Sequence, residues 1–189
     1  MSRLPRLSGV DIPEEAHPLF EFAKNMMGFT PNDVHDMARN PAILKGVAAM
    51  CGAIYAPGEV SQGLKRLIGH IASIAAGCKY CQIHTAHGAH EQGEEHARIL
   101  AAWEYETSPL FSEAERAALR VAQAGAMTPN EVTDAQFKDL RRHFTYAQIV
   151  EIVAVISMFG FLNRWNSTMD TQLEDTPLIY AKAVGVEPR

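Results

Sequence analysis

The chain has 189 residues, of which 47% are apolar and 21% are charged. A chain of this length and composition is expected to form a globular domain with a buried core, which excludes global disorder. The net charge is −5, from 17 Lys and Arg against 22 Asp and Glu. This balance disfavours nucleic acid as a partner, because affinity for a phosphate backbone comes mainly from clustered cations.

The N-terminus, MSRLPRLSGVDIPEE, has no apolar stretch of the kind found in secretory signals. The longest apolar run, 149–162, contains Glu151 and Ser157 and is shorter than the ~18 residues that predict a transmembrane helix. Three cysteines are too few for a disulfide scaffold. We therefore predict a cytoplasmic protein with no membrane partner.

The first half of the chain has a helical pattern of apolar residues. Pro31 and Pro41 each suit the first position of a helix, and the apolar segment 41–54 predicts a buried helix that the sequence APGEV ends. Ser61 is a suitable cap for a helix that continues to about Ala76 and ends at Gly77. A further helix is expected to start around Cys78 and to run past residue 90.

The second half contains three capping boxes, in which a Ser or Thr is followed three residues later by Glu or Gln. They predict helices near 113–125, 134–143 and 146–169, and their paired residues are Ser112 with Glu115, Thr133 with Gln136 and Thr145 with Gln148. No run of alternating β-branched residues is bounded by hairpin turns. The predicted fold class is therefore all-α.

A weak internal repeat relates the two halves. A shift of 85 residues places the apolar segment 64–81 over the apolar segment 149–166. Under this shift Cys78 corresponds to Asn163 and Cys81 corresponds to Asn166. The pattern indicates a duplicated helical unit of which the first copy keeps the thiols.

Candidate chemistry lies in residues 77–87, GCKYCQIHTAH. Cys78 and Cys81 are neighbours on one helical turn, and a helix N-terminus favours a thiolate over a thiol, as does the charge of Lys79. His84 lies one turn beyond Cys81, where an imidazole can take its proton. A thiolate attacks a peroxide O–O bond, and a second thiol resolves the sulfenic acid as a disulfide.

The same residues allow two alternatives to redox chemistry, a zinc site and an inert pair of buried thiols. The spacing of two cysteines before His84 and His87 also occurs in zinc sites, but successive members are displaced by about 60° in one sense around the helix, so one ion does not face all four. The identity of the attacking cysteine stays open: the helix N-terminus favours Cys78, and the proximity of His84 favours Cys81.

The segment 64–90 and the C-terminal FTYAQIVEIVAVISMFGFLNRWNSTMD resemble the carboxymuconolactone decarboxylase and alkylhydroperoxidase D (AhpD)-like family, in particular its peroxidase-related branch. The resemblance implies an AhpD-like helical fold built from a repeated unit and a homo-oligomer (a dimer, trimer or hexamer). It also implies an N-terminal arm with a first helix over 1–36, a helical domain over 37–175 and a tail over 176–189. The CxxC half of the domain covers about 37–105, and the second half covers about 112–175.

The resemblance also assigns roles to the cysteines: Cys81 would attack the peroxide and Cys78 would resolve. Two departures from the family pattern affect its proton relay, because Arg66 stands where the family has Glu and Thr85 stands where it has His. His84 is the candidate replacement for the histidine.

Further candidates for the relay or the pocket are residues whose placement the sequence does not decide. They are His70, Glu151, Tyr80, Arg66 and His87, with Arg66 alternatively stabilising a thiolate. We expect Cys51 to be a buried small hydrophobe. We expect Glu174 and Asp175 to be exposed.

The predicted function is thiol-dependent reduction of a hydroperoxide, reset by a thiol or dithiol reductant, with no cofactor and no metal. A lyase of the decarboxylase type is one alternative, and it would not need the thiol pair. A redox-sensing oligomer without enzymatic activity is the other.

Overall fold

The computed structural model describes residues 2–189 and confirms the all-α class, with no strand within that range. Three short 3-10 turns accompany the α-helices. The ten helices are α1 (His17–Met27), α2 (Asn32–Met37), α3 (Pro41–Ile54), α4 (Gln62–Ala75), α5 (Lys79–Glu91), α6 (His96–Leu100), α7 (Glu113–Gly125), α8 (Asp134–His143), α9 (Tyr146–Met169) and α10 (Asp175–Val184).

The helix boundaries follow from local capping chemistry. The Ser61 hydroxyl accepts the Leu64 N–H at 3.2 Å and starts α4. Gly77 has a φ of +69°, a left-handed conformation that favours glycine, and it turns the chain from α4 into α5. All three capping boxes form, so α7, α8 and α9 have the predicted bounds. Local signals therefore suffice to place these ends.

The core is arranged around α4. This helix packs against α5, α7 and α9, and its Leu67, Ile68 and Ile71 are fully buried. From α9, Ile152 and Val155 are also fully buried. Since each such side chain stabilises the fold by about 1.5–3 kcal/mol, the contacts among these helices hold the first turn of α5 in place.

Helix α9 differs from the sequence expectation in one respect. Its 24 residues are long and apolar enough, by length and composition, to cross a membrane. The core helix of a globular protein passes the same test, and α9 packs along one side against α4, α5 and α7. On another side, Tyr146 and Val150 are exposed.

The two halves that the predicted repeat relates differ in one respect: the first is broken into two helices where the second is one continuous helix. A shift of 85 residues places α4 over 147–160, which is helical within α9. The chain breaks at Gly77 in the first half but continues as helix through the corresponding position in α9. Asn163 and Asn166 therefore lie on α9 and face the first half, where the Asn163 amide donates to the Ala72 carbonyl at 3.3 Å.

The N-terminal segment covers the site. Helices α1, α2 and α3 form a second, smaller core cluster that includes Ala23, Val34, Met37 and Leu44. Helix α3 in turn packs against α9. The expected N-terminal arm, 1–36, thus supplies α1 and most of α2 as one wall of the cavity described next.

Candidate active site

Cys78 and Cys81 lie at the N-terminus of α5, both as free thiols and both buried, with 1% and 3% of their surfaces exposed. Cys78 is the N-cap residue. A hydrogen bond from the Cys81 thiol lowers the pKa of Cys78 to about 6, against the effect of burial, and the backbone N–H groups of Cys81 and Tyr80 and the Ser167 hydroxyl add to this. Burial, together with the neighbouring Cys78, raises the pKa of Cys81 well above its usual value. The pair thus combines a thiolate at Cys78 with a thiol at Cys81.

Cys81 lines a cavity of about 110 Å³ and Cys78 does not. Helices α1, α2, α3, α4, α5 and α9 all contribute to its wall. The lining is mainly apolar and includes Phe22, Met26, Val47, Ala48, Phe159 and Leu162. An enclosed cavity of roughly 150 Å³ holds benzene, and this one is smaller but partly open to solvent, so it suits a short-chain or single-ring organic molecule.

Glu174 connects His84 and Tyr80 to α10. Its carboxylate lies 2.5 Å from His84 Nε2. It also accepts hydrogen bonds from the Tyr80 hydroxyl, at 2.8 Å, and from the Asn32 backbone N–H. Burial raises the pKa of Glu174, but these hydrogen bonds outweigh it and hold the pKa below its usual value. The Tyr80 and His84 rings stack with centroids 4.1 Å apart. His84 therefore contacts Glu174, and the structure shows no hydrogen bond from it to either cysteine.

The expectation that Glu174 is exposed was wrong. Its side chain is 11% exposed, whereas the adjacent Asp175 is exposed as predicted. The reason is the docking of α10 on α5, which brings Glu174 to a histidine 90 positions earlier. A pair of acids before a short helix carries no local signal of this contact.

Asp33 is a second carboxylate that the sequence analysis did not select. The Asn166 amide lies 3.2 Å from the Asp33 carboxylate and 3.5 Å from the Cys81 sulfur, so α9 connects the two groups. Burial raises the pKa of Asp33, while the His84 charge and the Asn166 hydrogen bond oppose the shift. Asp33 lines the cavity beside Cys81 and His84 and can act there as an acid.

The remaining residues of the cavity wall include Arg66 and Cys51. Arg66 is buried and stacks on Tyr55, with the guanidinium carbon 3.8 Å from the ring centroid. Burial raises the pKa of Cys51 to about 11, which keeps it a thiol, and its predicted burial is confirmed.

Two candidates for the proton relay, His70 and Glu151, are engaged away from the cysteine sulfurs. His70 Nδ1 lies 2.9 Å from Thr85 Oγ1 and borders a different cavity, and burial lowers its pKa to about 4. The Glu151 carboxylate pairs with Lys65 Nζ at 2.7 Å and accepts the Glu59 N–H at 2.8 Å. The structure brings neither side chain into contact with Cys81.

His87 lies outside the cavity that Cys81 lines, whereas Thr85 belongs to the wall of this cavity but bonds to the backbone and not to a cysteine sulfur. His87 is buried, but it packs on Tyr180 with ring centroids 5.4 Å apart and lies 3.7 Å from Glu91. Thr85, at the position of the family histidine, donates its hydroxyl to the Cys81 carbonyl at 2.7 Å. In the part of the chain that the structure describes, no three His, Cys, Asp or Glu side chains converge as metal ligands would.

Sequence comparisons identify relatives over part of the chain. The family model described as carboxymuconolactone decarboxylase matches residues 41–124. The Escherichia coli K12 protein YnjA is 36% identical over 93 residues, which are 49% of this chain and 51% of YnjA. The chain thus matches about half the length of that relative.

Comparison of structures extends the likeness to nearly the whole chain. The debrominase Bmp8, in a cysteine-to-alanine variant in complex with 2,3,4-tribromopyrrole, is 33% identical with a TM-score of 0.89, covering 97% of this chain and 100% of that one. An AhpD-core, peroxidase-related protein from Ralstonia eutropha JMP134 is 24% identical with a TM-score of 0.83, covering 100% and 98%, and shows the shared fold. The chain accordingly belongs to the carboxymuconolactone decarboxylase and AhpD-like family, as its CxxC segment and second half predicted.

Proposed function

We propose that the protein is a thiol-dependent reductase that acts on a small organic hydroperoxide through Cys78 and Cys81. One observation carries the proposal: the Cys81 thiol borders a mainly apolar cavity while Cys78, beside it, has a lowered pKa. A cavity of this kind favours an organic hydroperoxide over hydrogen peroxide, because apolar walls bind the organic group and exclude water.

The first step forms a sulfenic acid. The Cys81 proton passes to the Cys78 thiolate, and the Cys81 thiolate then attacks the terminal oxygen of the hydroperoxide. An S–O bond forms and the O–O bond breaks, so sulfur is oxidised and the peroxide is reduced. The leaving alkoxide takes a proton from Asp33, whose raised pKa suits an acid, and departs as the alcohol.

The second step forms the disulfide. Cys78 passes the proton that it took from Cys81 to the Asp33 carboxylate. The Cys78 thiolate then attacks the Cys81 sulfur, so that an S–S bond forms and the S–O bond breaks. The hydroxide takes a proton from solvent and leaves as water. An external dithiol then reduces the disulfide by exchange and becomes oxidised itself. The net reaction converts a hydroperoxide and two thiols into an alcohol, water and a disulfide.

Access supports Cys81 as the attacking residue, since it borders the cavity and Cys78 does not. The predicted role of His84 in deprotonating Cys81 stays a prediction. In our proposal Cys78 takes that proton, while His84, held by Glu174 and stacked on Tyr80, positions the wall that contacts the substrate.

The test is consumption of tert-butyl hydroperoxide by purified protein with dithiothreitol. Cys81→Ser should reduce turnover to background. Cys78→Ser lacks both the proposed base and the resolving thiol, so it should form one sulfenic acid per chain on Cys81 more slowly than the wild type; dimedone traps this acid and intact-mass measurement detects it. Circular dichroism of both variants serves as the control for folding. Full multiple turnover by Cys81→Ser would refute the proposal, and a lyase reaction that survives loss of both cysteines would favour the decarboxylase alternative.

Reductive dehalogenation is a second candidate, favoured by the full-length likeness to a protein named a debrominase. The same two thiols would serve: Cys81 attacks bromine, the C–Br bond breaks, and the ring carbon takes a proton. Cys78 then forms the disulfide and expels bromide. Bromide release from 2,4,6-tribromophenol with dithiothreitol, absent in Cys81→Ser, would favour this reaction, whereas hydroperoxide consumption alone would favour the first.

A further inference from the structure

Arg66 is a buried cation without a counterion. It is 7% exposed, its Nε is buried without a hydrogen-bond partner, and within residues 2–189 the structure shows no carboxylate paired with its guanidinium. Burying a charge is unfavourable unless it is paired, so native proteins supply a partner for such groups. An unpaired arginine in a cavity wall therefore indicates a partner that arrives with the ligand.

A second unpaired donor lies against it. The Tyr55 hydroxyl is also buried without a hydrogen-bond partner, and the Tyr55 ring lies 3.8 Å from the Arg66 guanidinium carbon. Both residues line the cavity that holds Cys81. Two donors and one fixed positive charge thus border the same space.

The position of the guanidinium is set by packing. On one side it stacks on Tyr55, and on another α5 comes so close that a Cβ at Gly88 would lie 3.2 Å from Arg66 Nη1. A planar guanidinium held in this way has less rotational freedom to lose on binding, and its paired N–H groups match the geometry of a carboxylate.

Three carboxylates of the surrounding helices form hydrogen bonds or ion pairs with residues other than Arg66. Asp33 is held by Asn166, and Glu174 is held by His84 and Tyr80. Glu151, the acid on α9, pairs with Lys65. None of these carboxylates forms an ion pair with Arg66.

We propose that Arg66 and Tyr55 form an anion subsite that binds the carboxylate of a small organic acid, whose reducible group then faces Cys81. For the reactive group, this inference rests on the proposed function; for binding, it stands on the unpaired donors alone. The cavity of about 110 Å³ limits the acid to a single ring or a short chain.

The test is the affinity of two unreactive probes of the same shape, benzoate and its neutral analogue benzamide, measured by isothermal titration calorimetry on the full chain. Charge-assisted hydrogen bonds predict that benzoate binds at least about tenfold more tightly than benzamide. Arg66→Met should abolish this ratio, and Tyr55→Phe, which keeps the ring, should reduce it. Arg141→Met removes the same charge from the exposed face of α8 and should leave the ratio unchanged.

Equal affinities in the wild type, no binding of benzoate, or a ratio that persists in Arg66→Met would each overturn the subsite. If Arg66→Met fails to fold by circular dichroism, Arg66→Lys supplies the answer: it keeps the charge but loses the planar fork, and should lower benzoate affinity alone. A changed thiolate titration in these variants with unchanged benzoate affinity would assign Arg66 to the thiolate and refute the subsite. Probe binding needs no turnover, so its failure is distinguishable from the failure of hydroperoxide reduction.

Discussion

The hydrogen bond between the two thiols makes a quantitative prediction about Cys78. Its pKa is about 6 in the folded protein against an ordinary 9.0, and the Cys81 thiol is the largest cause. A hydrogen bond to a charged group contributes about 1.5–3 kcal/mol, and one pKa unit corresponds to about 1.4 kcal/mol. We therefore expect Cys81→Ala to raise the pKa of Cys78 by about one to two units.

The assay is thiolate absorbance at 240 nm from pH 5 to 9, checked against the pH dependence of alkylation by iodoacetamide. Cys78→Ser is the matched control and should lose the transition near pH 6. Cys51 does not contribute in this range, because its pKa is raised to about 11. An unchanged midpoint in Cys81→Ala, or a transition near pH 6 that survives in Cys78→Ser, would refute the reasoning.

The same shift fixes the sign of a pH effect on stability. The pKa of Cys78 is lower in the folded chain than in the unfolded one, so its contribution to the free energy of unfolding is fully present above about pH 9. This contribution is lost as the pH falls through about 6. Urea unfolding from pH 9 to 6 should therefore show a larger loss of stability for the wild type than for Cys78→Ser, and parallel curves would contradict this.

Further predictions concern packing, the buried acid and assembly. Gly69→Ala should lower the free energy of unfolding in urea by about 1–3 kcal/mol, because the added Cβ would lie 2.3 Å from the Phe159 ring. Gly160→Ala, whose Cβ would meet nothing within 4 Å, should stabilise α9 slightly. Equal effects of the two substitutions would argue against this packing. Glu174→Gln should cost about 1–3 kcal/mol by the same measurement, and exposed Asp175→Asn close to nothing; an inert Glu174→Gln would contradict the buried contact. Val150→Glu, on the exposed apolar face of α9, should lower the mass seen by sedimentation if the predicted homo-oligomer uses this face, and an unchanged oligomer would exclude it.

Local chemistry made most of the fold predictable. A capping box joins residues three apart and Gly77 acts on its own turn, so the bounds of α7, α8 and α9 and the break between α4 and α5 could be read along the chain. The CxxC turn itself is local as well, because both cysteines belong to the start of one helix.

The surroundings of the cysteines depend on residues far apart in the chain. His84 meets Glu174 across 90 positions, and Asn166 connects Asp33, 133 positions away, to Cys81. Such pairs leave no periodic signal, because they exist only once α2, α9 and α10 have packed on α5. The chain alone thus indicates two thiols on one helix turn, where mainly local hydrogen bonds lower the pKa of Cys78, whereas long-range packing places Cys81 in the cavity and leaves Arg66 buried without a counterion.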